Sequence, residues 1–108
     1  QIETAEAVER LDQILAVPGV DAALIGPTDL SIALGVAGRL DDPVLTAAIE
    51  RTMAACARHG VVAAIHTNEV PRTAYWASRG MRLVSIGSEA GLLIASGQQA
   101  VQTIRQGA

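Results

Sequence analysis

Lysine is absent from this 108-residue sequence, and all eight of its basic residues are arginine. A lysine that forms a Schiff base with a carbonyl substrate therefore cannot come from this chain. Cysteine occurs once, at Cys56, which excludes an internal disulfide and is typical of a cytoplasmic protein. Phenylalanine is also absent, and Tyr75 and Trp76 are the only Tyr and Trp. We expect both to pack a helix against the sheet or to fill a subunit interface.

The sequence also lacks an excess of positive charge and a long apolar segment. Its net charge is -3 and its pI is near 5.2, so the basic surface that nucleic acid requires is not indicated. Its apolar runs are far shorter than the ~20 residues of a membrane-spanning helix. We therefore expect neither a nucleic-acid nor a membrane partner. The chain begins at Gln1 rather than Met, which indicates a fragment of a single domain.

Four segments follow one another that are each typical of a strand and then a helix. The predicted strands contain QIET, DAALIGPTD, VVAAIHT and RLVSIGSE, and the helices include AEAVERLDQILAV and AGLLIASGQQAVQTIRQ. Continuous apolar strands are typical of a parallel sheet that is covered on both faces, and the alternating order predicts an α/β fold. An open four-stranded sheet and half of a (β/α)8 barrel both fit this pattern.

Helix ends and buried faces follow from the capping residues and the apolar spacing. Thr4, Asp42 and Asn68 are the expected N-caps, and Gly60 is the expected end of the helix that follows Asp42. Glu89 is a candidate cap of the last helix, in which a stripe at helical spacing is predicted to face the core. That stripe consists of Leu93, Gly97, Ala100, Val101 and Ile104.

Polar residues follow each predicted strand, at the edge where α/β folds place their sites. Glu3 and Asp29 end adjacent strands if the first two units are joined by a right-handed crossover. Two carboxylates there suit Mg²⁺ or Mn²⁺, although each could instead cap the next helix, and spacing alone leaves both readings open. His66 lies at the C-terminal end of a third predicted strand. It is a candidate general base or, more simply, a capping or loop residue.

The other polar candidates are predicted to be structural. Arg72, Arg79 and Arg82 spread around a helix and the following turn, so we expect a solvated face. His59 stands at a helix end, where the negative end of the helix dipole favours an imidazole. Cys56 lies on a buried helical stripe and is expected to be inert.

The segments QIET and GVDAALIGPTDLSIALG, followed by IGSEAGLLIASG, resemble the HpcH/HpaI aldolases, which are metal-dependent pyruvate aldolases of the phosphoenolpyruvate/pyruvate superfamily. The resemblance covers nearly the whole chain. It implies that residues 1–108 form one partial domain, the C-terminal half of a (β/α)8 barrel with about strands five to eight. Two positions depart from the family pattern. Glu89 stands where Asp is more frequent, and His66 stands where an apolar or small residue is usual.

The resemblance also implies site residues. Glu3 and Asp29 would be the two protein ligands of a divalent metal, either Mg, Mn or Co. Gln1 and the backbone N–H groups of Thr28 and Asp29 would contact the keto acid. No catalytic residue is expected in this chain, because the resemblance places the base and a substrate-binding arginine in the N-terminal half of the barrel. The chain alone is therefore expected to lack appreciable turnover.

The implied activity is metal-dependent cleavage of 4-hydroxy-2-oxo acids into pyruvate and an aldehyde, as in the catabolism of aromatic compounds. A keto acid and an aldehyde are the expected small-molecule partners, and a cytoplasmic homo-oligomer is the expected form. Two alternatives stay open. One is a CoA-ester lyase of the citrate lyase β/malyl-CoA lyase branch, and the other is a non-catalytic barrel segment that acts only through packing or oligomerisation.

Overall fold

A parallel three-stranded sheet organises residues 1–107, which are the residues that the computed structural model describes. Its strands lie in the order β1 (Ala22–Ile25), β2 (Val62–Thr67) and β3 (Leu83–Ile86). Six helices surround them: α1 (Ala5–Glu9), α2 (Leu11–Leu15), α3 (Pro27–Ala33), α4 (Pro43–His59), α5 (Val70–Ser78) and α6 (Glu89–Gln106). The predicted α/β class with parallel strands is confirmed.

The first predicted strand is reduced to one parallel bridge, which joins Ile2 to Ile25. The Ile2 N–H donates to the Leu24 carbonyl at 2.8 Å, and the Gly26 N–H donates back to the Ile2 carbonyl at 3.4 Å. Residues 1–3 therefore occupy a fourth strand position beside β1, although only their centre pairs. The polar ends of all four positions lie at the same edge of the sheet.

The core lies between the sheet and the helices α1, α2 and α4. α4 supplies Leu45, Ile49 and Cys56, each with at most 1% of its surface exposed, and β1 and β2 supply Ile25 and Ile65. The thiol of Cys56 is buried as predicted, and that burial raises its pKa. A thiol held in the neutral form is a poor nucleophile, which agrees with a structural role for Cys56.

Several helix ends agree with their predicted capping residues. The side chain of Thr4 accepts from the Ala7 N–H at 3.1 Å, and that of Asp42 accepts from the Val44 N–H at 2.9 Å. Gly60 ends α4 with a φ of 68°, a left-handed conformation that glycine adopts without strain. The predicted first helix is interrupted at Arg10, whose backbone is not helical.

Two predicted caps are wrong. α5 begins at Val70, with Glu69 rather than Asn68 as its N-cap residue, and Pro71 lies in the first turn, where proline is tolerated. α6 is capped by Ser88, whose Oγ accepts from the Gly91 N–H at 3.2 Å, whereas Glu89 lies within the first turn of the helix.

The predicted buried stripe of α6 is also wrong for the chain as it stands. Every residue from Ser88 to Gly107 is exposed, including Leu93 and Ile104. β3 pairs with β2 along one edge only, so no element of residues 1–107 covers the apolar side of α6. Across residues 1–107, none of the helices combines the length and the apolar character required to cross a bilayer.

Candidate functional site

One row of residues crosses the sheet at its C-terminal edge. Ile2 is level with Ile25, Ile25 with Ile65, and Ile65 with Val84. The next residue on each strand position therefore lies in a common row. That row consists of Glu3, Gly26, His66 and Ser85, and all four line the same cavity.

Glu3 lies directly against Gly26. A Cβ atom built on Gly26 would stand 2.6 Å from Glu3 Oε1 and 3.0 Å from its Cγ, so only glycine leaves room for this side chain. Gln1 Nε2 donates to the same Oε1 at 2.9 Å. Two neighbours thus fix the Glu3 carboxylate at the sheet edge, and the second carboxylate oxygen makes no hydrogen bond to residues 1–107.

Asp29 reaches the cavity from a helix rather than from the end of a strand. α3 begins at Pro27, and its first i to i−4 hydrogen bond runs from the Leu30 N–H to the Gly26 carbonyl at 2.9 Å. The N–H groups of Thr28 and Asp29 precede that bond and have no partner within the helix. The structure therefore brings Gln1, Glu3, Thr28 and Asp29, all predicted site residues, to one cavity.

The cavity has a volume of about 280 Å³. It is also lined by His66, whose ring Nδ1 lies 3.0 Å from the Ser85 Oγ on the neighbouring strand. His66 was considered as a base or as a capping or loop residue. The structure places it on β2, half-buried and in the same row as Glu3, with Gly26 between them.

The prediction that Arg72 belongs to a solvated arginine face is wrong. Its side chain is only 16% exposed, and Nη1 donates to the Leu40 carbonyl at 2.9 Å and to Asp41 Oδ1 at 2.7 Å. Its Nε is buried and has no hydrogen-bond partner within residues 1–107. The hydrogen bond from Arg72 lowers the pKa of the Asp41 carboxyl. Arg72 thereby fastens the loop after α3 to the start of α5, and both segments form walls of the cavity.

The remaining arginine and histidine predictions agree with the structure. Arg82 is exposed, and Arg79 is about half-exposed and pairs with Glu50. His59 ends α4, and its Nε2 lies 2.8 Å from Asp12 Oδ1. Two hydrogen bonds lower the pKa of Asp12, of which the one from Arg58 has the larger effect and the one from His59 the smaller. None of these three residues lines the cavity.

The donor set of the cavity fits a hard divalent cation. Three carboxylate residues line one space, and of these Glu69 is paired with Arg72 at 3.7 Å, which leaves Glu3 and Asp29. Mg²⁺ or Mn²⁺ is commonly held by one or two carboxylates together with water and substrate oxygens. Within residues 1–107 there is no cluster of three or more His, Cys, Asp or Glu side chains that could hold a metal ion. A cation at Glu3 and Asp29 would therefore take its other ligands from water, substrate or groups outside this set.

Sequence reasoning missed three contributors to the cavity. Gly26 was not among the predicted site residues, yet its missing Cβ is what admits Glu3. Ser85 lies within an apolar run, and its role becomes visible only when the register pairs it with His66. Arg72 follows β2 closely in sequence, and proximity to the C-terminal end of a strand was the signal that could have identified it.

Comparison with known proteins gives a consistent result. A family profile described as HpcH/HpaI aldolase/citrate lyase matches residues 1–96. A hydroxypyruvate/pyruvate aldolase of Paraburkholderia phytofirmans is 30% identical over 105 residues, which are 97% of this chain and 40% of that protein. A 4-hydroxy-2-oxo-heptane-1,7-dioate aldolase of Escherichia coli is 38% identical over 93 residues, which are 86% of this chain and 36% of that protein.

The likeness extends to three dimensions. A crystal structure of an HpcH/HpaI aldolase/citrate lyase family protein from Burkholderia cenocepacia superposes with a TM-score of 0.93 at 31% identity, over 97% of this chain and 41% of that one. The chain thus spans about two fifths of the length of the relatives it matches, and its strands are part of their barrel. From the profile match and the superposition together, the chain belongs to the HpcH/HpaI aldolase/citrate lyase family.

Proposed function

We propose that this chain supplies the metal-binding and keto-acid-binding part of a divalent-metal-dependent aldolase, which cleaves 4-hydroxy-2-oxo acids into pyruvate and an aldehyde. The observation that carries the proposal is the cavity in which Glu3, seated against Gly26, faces the same space as Asp29. The names of the curated relatives support an aldolase rather than a CoA-ester lyase.

Each residue of the cavity has a distinct role in this proposal. Glu3 and Asp29 hold the cation, and Gln1 holds the Glu3 carboxylate in place through its 2.9 Å hydrogen bond. The first-turn N–H groups of Thr28 and Asp29 bind the substrate carboxylate. A bound divalent cation supplies Lewis-acid stabilisation of the negative charge that develops on the substrate's keto oxygen.

The proposal leaves proton abstraction from the 4-hydroxyl group to a residue outside this chain. For this part of the barrel, the absence of lysine agrees with a metal rather than a Schiff-base enzyme. Mg, Mn and Co suit the oxygen donors of the cavity.

We also propose a cytoplasmic homo-oligomer that acts in the breakdown of aromatic compounds. The single buried Cys56 supports the compartment.

Exchange of the pyruvate methyl protons for deuterium tests the proposal in the natural full-length protein. We expect exchange to require added Mg²⁺ or Mn²⁺ and to collapse in Glu3→Gln and in Asp29→Asn. Glu9→Gln and Asp21→Asn are matched controls, since both carboxylates are exposed and neither lines the cavity. Exchange that persists in both site variants would contradict the metal assignment.

A binding measurement separates the cation site from turnover. Calorimetric titration of Mn²⁺ is expected to show a site that is lost in Glu3→Gln and retained in Glu9→Gln. For the 108-residue chain alone we expect no appreciable release of pyruvate. Metal-dependent release at the rate of the full-length protein would show that the proton-transfer groups lie within this chain.

A further inference from the structure

His66 and Ser85 form a hydrogen-bonded pair on the floor of the cavity that has so far been given no role. They are Cα partners in the parallel pairing of β2 with β3, so their side chains lie on the same face of the sheet. His66 Nδ1 and Ser85 Oγ are 3.0 Å apart. This bond fixes the orientation of the imidazole ring from its β3 side.

The other ring nitrogen of His66 is left available. Nε2 makes no hydrogen bond to any of residues 1–107, and the half-buried side chain lines the cavity. An imidazole that has one nitrogen held by a protein group and the other open to a pocket is prepared to bind an oxygen atom there. A pair that served only to join two strands would not need the imidazole to line a cavity.

The position of His66 relative to Glu3 points to the same use. They lie in one row, with Gly26 on the strand between them. Their α-carbons are thus two strand spacings apart, about 10 Å. Because Gly26 has no side chain, the Glu3 carboxylate lies against that strand and so comes nearer to β2 than its own backbone is. A ligand that binds the Glu3 carboxylate therefore lies in the cavity that His66 also lines.

We propose that His66, oriented by Ser85, is a further substrate-binding residue, whose Nε2 forms a hydrogen bond to an oxygen atom of the bound 2-oxo acid. The inference rests on the proposed function and deepens it, since it assigns a contact on the β2–β3 side of the same cavity. Ser85 acts through His66 and is a positioning residue.

Calorimetry with oxalate, a planar dicarboxylate analogue of the pyruvate enolate, tests this contact in the natural full-length protein saturated with Mg²⁺. We expect His66→Ala to weaken oxalate binding about 3- to 10-fold, the range expected for one hydrogen bond. Ser85→Ala is expected to cause a smaller loss in the same direction. Mg²⁺ affinity and the far-ultraviolet circular dichroism spectrum stay unchanged in both variants.

His59→Ala is the matched control, because His59 contacts Asp12 and does not line the cavity. A chemical footprint gives a second readout that does not depend on any variant folding. Diethyl pyrocarbonate modifies histidine rings, and mass spectrometry resolves the two sites. We expect Mg²⁺ with oxalate to slow modification of His66 and to leave His59 unaffected.

The outcomes distinguish this inference from the proposed function. If the wild-type protein binds neither Mg²⁺ nor oxalate, the proposed function fails, and the inference fails with it. If the wild-type protein binds both but His66→Ala binds oxalate equally well, or His66 is not protected, only the inference is overturned. In that case the pair serves to join β2 to β3.

Discussion

Residues 1–82 and residues 83–107 differ in how far their apolar side chains are covered. In the first region, α4 buries Leu45 completely against the sheet. In the second region, no residue is buried, and Leu93 is 76% exposed. The seven ion pairs found within residues 1–107 all lie in the first region.

The contrast shows that the second region forms its secondary structure without a core of its own. β3 takes its hydrogen bonds from β2, and α6 takes its own from within the helix. The apolar residues of β3 are partly covered by α5, whereas those of α6 stay exposed across residues 1–107. In a closed (β/α)8 barrel, neighbours on both sides cover each strand and helix, so we interpret this surface as the side on which a barrel closes. The cavity lies on the row that crosses both regions, with Glu3 in the first and Ser85 in the second.

The largest expected effect contrasts a leucine from each region. In the 108-residue chain, Leu45→Ala is expected to lower the free energy of unfolding by about 2–5 kcal/mol, because it leaves a cavity in the core. Leu93→Ala is expected to change it by less than about 0.5 kcal/mol, because the side chain is already in water. Urea unfolding measures both. A loss of several kcal/mol in Leu93→Ala would show that α6 packs against the rest of the chain in solution.

The next contrast uses a glycine from each region. Gly26→Ala is expected to displace the Glu3 carboxylate and to weaken Mn²⁺ binding about 10- to 100-fold, as loss of a group that orients a ligand does. Among residues 1–107, outside its chain neighbours and the backbone of its own helix, no atom lies within 4 Å of a Cβ built on Gly97 in α6. Gly97→Ala is therefore expected to stabilise α6 by about 0.5–1 kcal/mol and to leave the Mn²⁺ affinity unchanged. Equal Mn²⁺ affinity in both variants would contradict the close approach of Glu3 to Gly26.

A third contrast removes the N-cap of a helix in each region. Asp42→Ala is expected to cost about 0.5–2 kcal/mol of global stability, since α4 is part of the core. Ser88→Ala removes a comparable hydrogen bond, from the Gly91 N–H to the Ser88 side chain, at the start of α6. Because α6 has no buried residue, local unfolding of its first turn does not disrupt the core. We expect Ser88→Ala to raise amide hydrogen exchange at the start of α6 while the urea midpoint stays unchanged. A lower midpoint in Ser88→Ala would indicate that α6 unfolds together with the sheet.

Sequence reasoning succeeded where the signal is local. The caps Thr4 and Asp42 and the stop at Gly60 depend on a few neighbouring residues, and all three are confirmed. The parallel α/β order depends on a repeated pattern along the chain, and it is confirmed as well. The prediction for Asn68 was wrong by one residue, because α5 starts after Glu69, which makes no side-chain capping hydrogen bond.

The candidate site was predictable in part, for a physical reason. Glu3 and Asp29 follow apolar segments that end at one edge of the sheet, so their place in one cavity could be anticipated. The contribution of Arg72 and the pairing of His66 with Ser85 depend on loop closure and strand register, which no local pattern encodes. The prediction that the apolar stripe of α6 is buried was wrong, because periodicity shows which side of a helix is apolar and not whether another element covers it.

The smallest expected effect concerns the ion pairs that distinguish the two regions. Arg58 first, and then His59, lowers the pKa of Asp12 below its ordinary 3.8 through hydrogen bonds. A carboxyl whose pKa is lower in the folded state stabilises the protein above its unfolded pKa. That contribution is lost as the pH falls through the lowered folded value. Asp12→Asn is therefore expected to reduce slightly the loss of stability on acidification.

Urea unfolding between pH 6 and pH 2 measures this effect, with Asp21→Asn as the control, because Asp21 is exposed and has no ion pair within residues 1–107. Since the Asp12 pairs lie at the surface, salt is expected to weaken the effect. A pH dependence that is the same in Asp12→Asn and in the wild-type chain would show that these bonds do not persist in solution. The Asp12 pairs would then add nothing to the stability of the first region, and its buried apolar core would remain the main property that the second region lacks.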